Sequence, residues 1–270
     1  KFSGSGFTVL SQSIPPSLTF AAEKAGGCVV PVAGATIGSL TGSKGFRSDW
    51  GTTGASGRYL TIKQSTDTVW DGSINQDGAH RITGVVVDPG ASDTGTLTMT
   101  ATQKASSTLT VNGSVNLTGT WVGATTVAGT FGGTGTLTGN LTFNAGATFK
   151  AFSSDADGLA VSGTITYPAE GTVTVDVSGL EKGSGDVALI AASGLDGTKF
   201  ALSAGAPEGT TLAVKDNVLT VSIPPVSGTF SEGCTWAEVA WDGGASPVYG
   251  SEVDVTVSAS GTLTLGTLLD

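Results

Sequence analysis

Between Gly95 and Phe149 the chain reads GTLTMTATQKASSTLTVNGSVNLTGTWVGATTVAGTFGGTGTLTGNLTFNAGATF, a succession of very short apolar alternations, each closed by Gly, Asn-Gly or Gly-Gly. Leu97 and Met99, Leu109 and Val111, Val115 and Leu117, and Leu141 and Phe143 stand two residues apart, with Thr or Asn between them. A spacing of two turns alternate side chains to the same face of a strand and is incompatible with the 3.6-residue period of a helix. Thr and Val suit a pleated, half-buried surface, and Gly and Asn supply the positive φ that tight corners need. The stretch therefore reads as strand, corner, strand, corner.

Such a run fits either hairpins in a sandwich or the coils of a parallel β-solenoid. The strands are short and closely spaced, and the punctuation is mostly single Gly corners in place of the two-residue primed turns of hairpins. Both features favour the solenoid. A coil cannot bury its inner face alone, so similar segments must stack, which accounts for the repeated texture.

The same texture extends along the chain. Phe7 to Leu10 reads as a strand, and Pro15-Pro16 opens another, since a Pro pair starts a ladder but does not sit within one. Cys28 to Val30 stops at Pro31, and GATIGSL follows. Residues near 43–58 are polar and Gly-rich, with Phe46 and Trp50 inside and Tyr59 just beyond, and read as a lateral loop. YLTIKQ, TVWDGSI and HRITGVVVDPG give three more strands, and Val173, Val175 and Val177 alternate without a break. DVALIAASGL, KFALSA, TTLAVKD and NVLTVSIPP complete the series. No segment keeps helical periodicity over three turns with caps, so the chain is expected to be all-β. The expected division is a β-helix over 1–225, with a β segment over 226–270 that serves as a cap or as a strand donor to a neighbouring subunit.

Only 13% of the 270 residues are charged, against roughly 25% in ordinary domains, while 39% are hydrophobic, enough for a core. The net charge of −10 argues against nucleic-acid or anionic-membrane partners, because phosphate would be repelled. No apolar run approaches the ~20 residues of a membrane span, so no membrane insertion is expected. No charged-then-apolar signal segment opens the chain, and Lys1 reads as the start of a mature or excised product. One Met, one His and abundant Thr, Ser and Gly point to an exported surface protein.

Gly95-Thr96-Leu97-Thr98-Met99, Thr126 to Phe131, and Asn144-Ala145-Gly146-Ala147-Thr148-Phe149 resemble the autotransporter-associated β-strand repeat of bacterial surface passengers. In that repeat a G-T-L-T-L run leads through Gly-rich turns to T-x-V-x-x-G-x-L/F and then N-A-G-A-T-L. Trp70, Gly72 and Ile74 are similar to the element before it, and Leu180 to Ile223 to its closing coils. The resemblance covers the middle and later two-thirds of the chain. It implies a right-handed parallel β-helix displayed outside a bacterial cell. The translocator barrel of true autotransporters is absent from these residues, so the secretion route does not carry over.

Residues 226–270 do not simply continue the array. Trp236, Trp241, Asp242, Gly243, Gly244 and Pro247 resemble the lead-in that opens such helices, displaced to the end. SIPP at 222–225 echoes SIPP at 13–16, each followed by Thr-Phe and Gly-Cys. Cys28 and Cys234 are either two independent thiols or a disulfide. Roughly ten coils of ~20 residues at ~4.8 Å each would set the two ends on the order of 45 Å apart, whereas a disulfide needs Cα atoms within about 7 Å. A bond within one chain then requires the tail to fold far back, and a bond between copies stacked head to tail does not. In the second case Val253, Val255 and Val257, with Leu263 and Leu265, would cover the open N-terminal coil of the next copy as added strands.

Chemistry-bearing constellations are sparse. His80 is the single histidine and lacks a G-x-S-x-G elbow, and metal sites of the H-E-x-x-H or Cys/His kind are excluded by count. Asp155-Ala156-Asp157-Gly158 is a fragment of a calcium loop without its later Glu, and reads as a solvated turn. Asp67, Asp71 and Asp77, and Asp176, Glu181 and Asp186, cluster loosely without a paired base. Gly132 to Gly139 lacks the Lys and strand-to-helix setting of a phosphate loop. Asn112, Asn116 and Asn140 fall in N-x-S/T sequons. Trp50, Trp121, Trp236 and Trp241 are candidates for a sugar platform or for core packing. No cofactor is expected. The first reading is thus a non-catalytic structural or adhesive surface protein whose partner is another copy of itself. The second is a module for surface glycans, and the third a polysaccharide-degrading enzyme on the same scaffold.

Overall fold

Three faces, visited in turn by successive short strands, carry the chain. The computed structural model describes residues 8–9, 18–22, 28–30, 34–48, 58–74, 82–90, 95–103, 105–154, 157–181, 184–230, 239–241 and 253–257, with backbone alone at 8–9, 28–29, 47–48, 226–230, 240–241 and 253–257. The first face stacks Ala35–Ile37, Tyr59–Gln64, Gly84–Pro89, Thr108–Val111, Thr125–Val127, Leu141–Phe143 and Ile165–Thr166, every neighbour parallel. The second stacks Thr68–Trp70, Thr96–Met99, Ser114–Leu117, Thr130–Gly132, Thr148–Lys150, Val173–Asp176 and Phe200–Leu202, again parallel throughout. A bridge from Gly42 to Trp70 joins the pair Phe20–Ala21 and Leu40–Thr41 to its N-terminal end.

The third face is regular from Thr120–Val122 through Thr136–Thr138 and Leu159–Val161 to Gly185–Ala192. Towards the N-terminus it thins to single bridges, Thr102 with Thr120 and Phe46 with Ile74, before Phe46–Ser48, Cys28–Val30 and Thr8–Val9. The fold is a parallel β-helix. Phe46–Ser48 is therefore a rung of the third face, where the sequence suggested a lateral loop; residues 49–57 of that loop lie outside the described residues.

Alternation explains which side chains enter the core. Leu97, Met99, Leu109, Val111, Val115, Leu117, Leu141 and Phe143 are all at most 1% exposed, while the Thr and Asn residues between them face out. Parallel stacking in register then lays like on like: Leu137 on Trp121, and Phe149 on Phe131. Near the N-terminal end Phe20, Phe46 and Trp70 form an interior stack with centroids 6.0 and 5.8 Å apart. At the other end Phe200 meets Phe143 and Tyr167 edge-on at 6.3 and 5.6 Å.

Coil length varies more than the repeated texture suggests. Leu109 aligns with Thr125 and Thr125 with Leu141, sixteen positions apart each time, whereas Leu159 aligns with Ile190, thirty-one positions on. The extra residues leave the ladder at corners, where they do not disturb the register of the strands. Two buried glutamines hold such corners. Gln64 accepts from Leu40 N (3.2 Å) and donates through Nε2 to Thr66 O (2.6 Å) and Thr68 Oγ1 (2.7 Å). Gln103 accepts from Ile74 N (2.7 Å) and donates to Gly72 O (3.4 Å). Each joins the backbone of one coil to the next where the strands pause.

The parallel ladder of the third face ends at Gly185–Ala192, because Val218–Ile223 pairs with it antiparallel and Thr211–Lys215 pairs antiparallel beyond that. Asp216 (φ 52°) and Asn217 (φ 62°) make the two-residue turn between them, the left-handed conformation that such hairpins select. After Pro224-Pro225, Val226–Phe230 pairs antiparallel with Ala240–Trp241 and parallel with Val253–Val257. The strand Val253–Val257 thus has a partner within its own chain; Leu263 and Leu265 lie outside the described residues.

Candidate functional surface

The outward side chains form columns, because register is kept from rung to rung. On the first face the central column runs Thr36, Thr61, Val86, Thr110, Thr126, Thr142, Thr166. On the second face Thr96, Ser114, Thr130, Thr148 and Thr174 align, with Thr96 Oγ1 and Ser114 Oγ 3.0 Å apart. Strand spacing of ~4.8 Å sets these hydroxyls at a constant repeat.

To one side of the first-face column lies Tyr59, 41% exposed, between Gly34, which precedes the strand Ala35–Ile37, and Gly84 on the next rung. Its ring leans over Gly84, where a Cβ would come within 2.9 Å of Cε1 and 3.1 Å of Cδ1. On the other side stands a polar stack. Lys63 Nζ donates to Asp88 Oδ2 at 2.8 Å, and Asn112 Nδ2 donates to Asp88 Oδ1, also at 2.8 Å. Burial would raise the Asp88 carboxyl, but the hydrogen bonds from Lys63 and Asn112 and the Lys63 charge outweigh it and hold the pKa below its ordinary 3.8. On the second face Lys150 approaches Asp176 at 3.5 Å and sits 5.6 Å from the Phe152 ring centroid.

The acids singled out from sequence serve stacking and turns. Asp67 Oδ1 accepts from Thr96 N, and Asp71 Oδ1 from Thr100 Oγ1, both at 2.8 Å and both one coil on. Asp176 accepts from Ser178 N at 2.9 Å. Glu181 accepts from Ser184 through its backbone oxygen. Asp186 is the second residue of the strand Gly185–Ala192, where it pairs antiparallel with Ser222. Asp77, His80 and Asp155 lie outside the described residues. Among the described residues no three His, Cys, Asp or Glu side chains converge. A recess between Gly133, Phe149, Phe152 and Leu189 encloses about 10 Å³, room for one water.

The remaining candidates divide. Trp121 is fully buried, with Nε1 donating to Ser107 O at 3.1 Å, so it is a core residue and not a sugar platform. Trp70 is also fully buried and donates to Lys44 O at 2.9 Å. Trp241 lies on a strand described in backbone alone, and Trp50 and Trp236 lie outside the described residues. Cys28 is a rung of the third face at its N-terminal end, and Cys234 is outside the described residues. Of the sequon asparagines, Asn112 and Asn140 are exposed and Asn116 is half-buried. Tyr59, Lys63 and Asp88 were not legible as a group. Their signal is the alignment of positions 59 with 84, 63 with 88 and 88 with 112, which depends on loop lengths.

The stacked parallel rungs define the class, a three-faced parallel β-helix with an outer surface of hydroxyl columns. No protein-family model, no curated protein and no solved structure matches this chain.

Proposed function

We propose that this is a non-catalytic structural and adhesive protein of an extracellular surface, built as a stiff shaft. The observation that carries this reading is the use of its polar side chains: Asp67, Asp71, Asp88, Gln64 and Gln103 all hydrogen-bond from one coil to another. Local opening of one coil then breaks ladder bonds, side-chain bonds and interior stacking together, which makes the shaft resistant to fraying. The low charge and the Thr/Ser columns agree with an exported protein, and the resemblance to bacterial surface passengers supports the same reading.

End-to-end assembly of copies is part of this proposal. The first face finishes on Ala35–Ile37 at one end and Ile165–Thr166 at the other, and neither has a further strand partner among the described residues. Two open parallel edges of one face are complementary to each other in a head-to-tail stack. Negative-stain images of native material should show rods joined end to end. Isolated rods at all concentrations would remove the filament, and release of reducing sugar from any polysaccharide, with or without calcium, would overturn the non-catalytic reading.

A further inference from the structure

We propose that the first face carries a binding subsite for an uncharged oligosaccharide, with the Tyr59 ring as its platform and Lys63, Asp88 and Asn112 as its polar rim. Tyr59 is a large aromatic left 41% exposed on the second rung of the first-face ladder, whereas, among the described residues, Phe20, Phe46 and Trp70 of the coils around it are buried. Glycine lies next to it on both sides, Gly34 just before the strand Ala35–Ile37 and Gly84 on the following rung. The ring leans into the space at Gly84, and so lies along the sheet instead of standing off it. An aromatic laid along a surface offers its electron-rich face to the C–H groups of a pyranose, and sugars are held in this way without charge.

The rest of the patch fits the same ligand. Thr61, Val86 and Thr110 form a low central column beside the ring. Lys63 lies four residues along the same strand from Tyr59, ~13 Å at ~3.3 Å per residue, the length of about two or three pyranose rings. Lys63 donates one of its three N–H bonds to Asp88, and Asn112 one of its two, which leaves further donors for sugar hydroxyls. A few placed polar groups beside an apolar platform is the usual composition of a small-ligand site. The charges of Lys63 and Asp88 cancel, and the chain as a whole carries −10, so the complementary ligand is neutral and an anionic polymer is disfavoured.

The test is affinity electrophoresis of the whole chain in native gels containing β-1,4-glucan, β-1,4-xylan, β-1,4-mannan or α-1,4-glucan, with polygalacturonate as the anionic comparison. Titration calorimetry with the hexasaccharide of the retarding polymer follows. At least one uncharged polymer should retard the protein. Tyr59→Ala should weaken binding about ten-fold or more, and Tyr59→Phe should stay within about two-fold of the native chain. Gly84→Ala keeps the aromatic, but its methyl would meet Thr108 Oγ1 at 2.3 Å and the Tyr59 ring at 2.9 Å, so it displaces both and should weaken binding as well. Unchanged thermal melting of each variant establishes that the shaft is intact. The proposal is overturned if no uncharged polymer retards the protein, if polygalacturonate alone does, or if Tyr59→Ala binds as tightly as the native chain.

Discussion

Trp121 Nε1 donates to the Ser107 carbonyl oxygen at 3.1 Å, across one turn of the helix, and Gly123 passes the same oxygen so closely that a Cβ there would sit 2.2 Å from it. The corner after Trp121 is therefore closed by a residue with no side chain, at φ +126°. Gly123→Ala should lower stability by about 3 kcal/mol or more, since both the left-handed backbone and the carbonyl oppose the methyl. Trp121→Phe, which keeps an aromatic but loses the donor and some volume, should cost about 1–3 kcal/mol. Chemical denaturation followed by far-UV circular dichroism would rank the two, and equal stability of Gly123→Ala and the native chain would contradict the close approach.

Thr125 offers the opposite sign. It points inward between Leu109 and Leu141, is 1% exposed, and its Oγ1 has no hydrogen-bond partner. Valine has the same shape without the desolvated hydroxyl. Thr125→Val should raise stability by about 1 kcal/mol, seen as a higher denaturation midpoint at unchanged slope.

Gln64 tests the corner bonds. Replacing it with Met keeps the length of the side chain while leaving Leu40 N and Thr66 O without their partner. A loss of about 2–4 kcal/mol is expected, with hydrogen exchange at Leu40 accelerated more than at Leu141.

Acid should loosen the outer stack. Asp88 has a folded-state pKa below its unfolded value, so its contribution is present above the unfolded carboxylate range near 3.8 and is lost as pH falls through the folded value. The same sign holds for Asp176: burial raises its pKa, but the bonds from Ser178 and the Lys150 charge prevail and lower it. The native chain should lose stability steadily below about pH 4. Asp88→Asn with Asp176→Asn should flatten that limb, and an unchanged acid slope in the double variant would contradict the pairing.

Much of the architecture is written in adjacent residues. Strand identity and the choice of inward side chain follow from the pleat, in which steric alternation is local, and Leu97/Met99, Leu109/Val111, Val115/Leu117 and Leu141/Phe143 all point inward as their spacing requires. The stacking of short strands follows as well, since one coil cannot bury its own face. Which residues lie over one another is a different matter. Tyr59 meets Gly84, Lys63 meets Asp88 and Asp88 meets Asn112, because the intervening corners have the lengths they do. Loops shift the partner of every rung without changing the alternation inside it, so no count along the chain reveals the register. Burial of Trp121 beside exposure of Tyr59 has the same origin: alternation assigns a side to each ring, and the glycine or side chain one coil away settles how much of it water can reach. The shaft is thus a property of neighbouring residues, and the patch on its first face a property of coils brought together by folding.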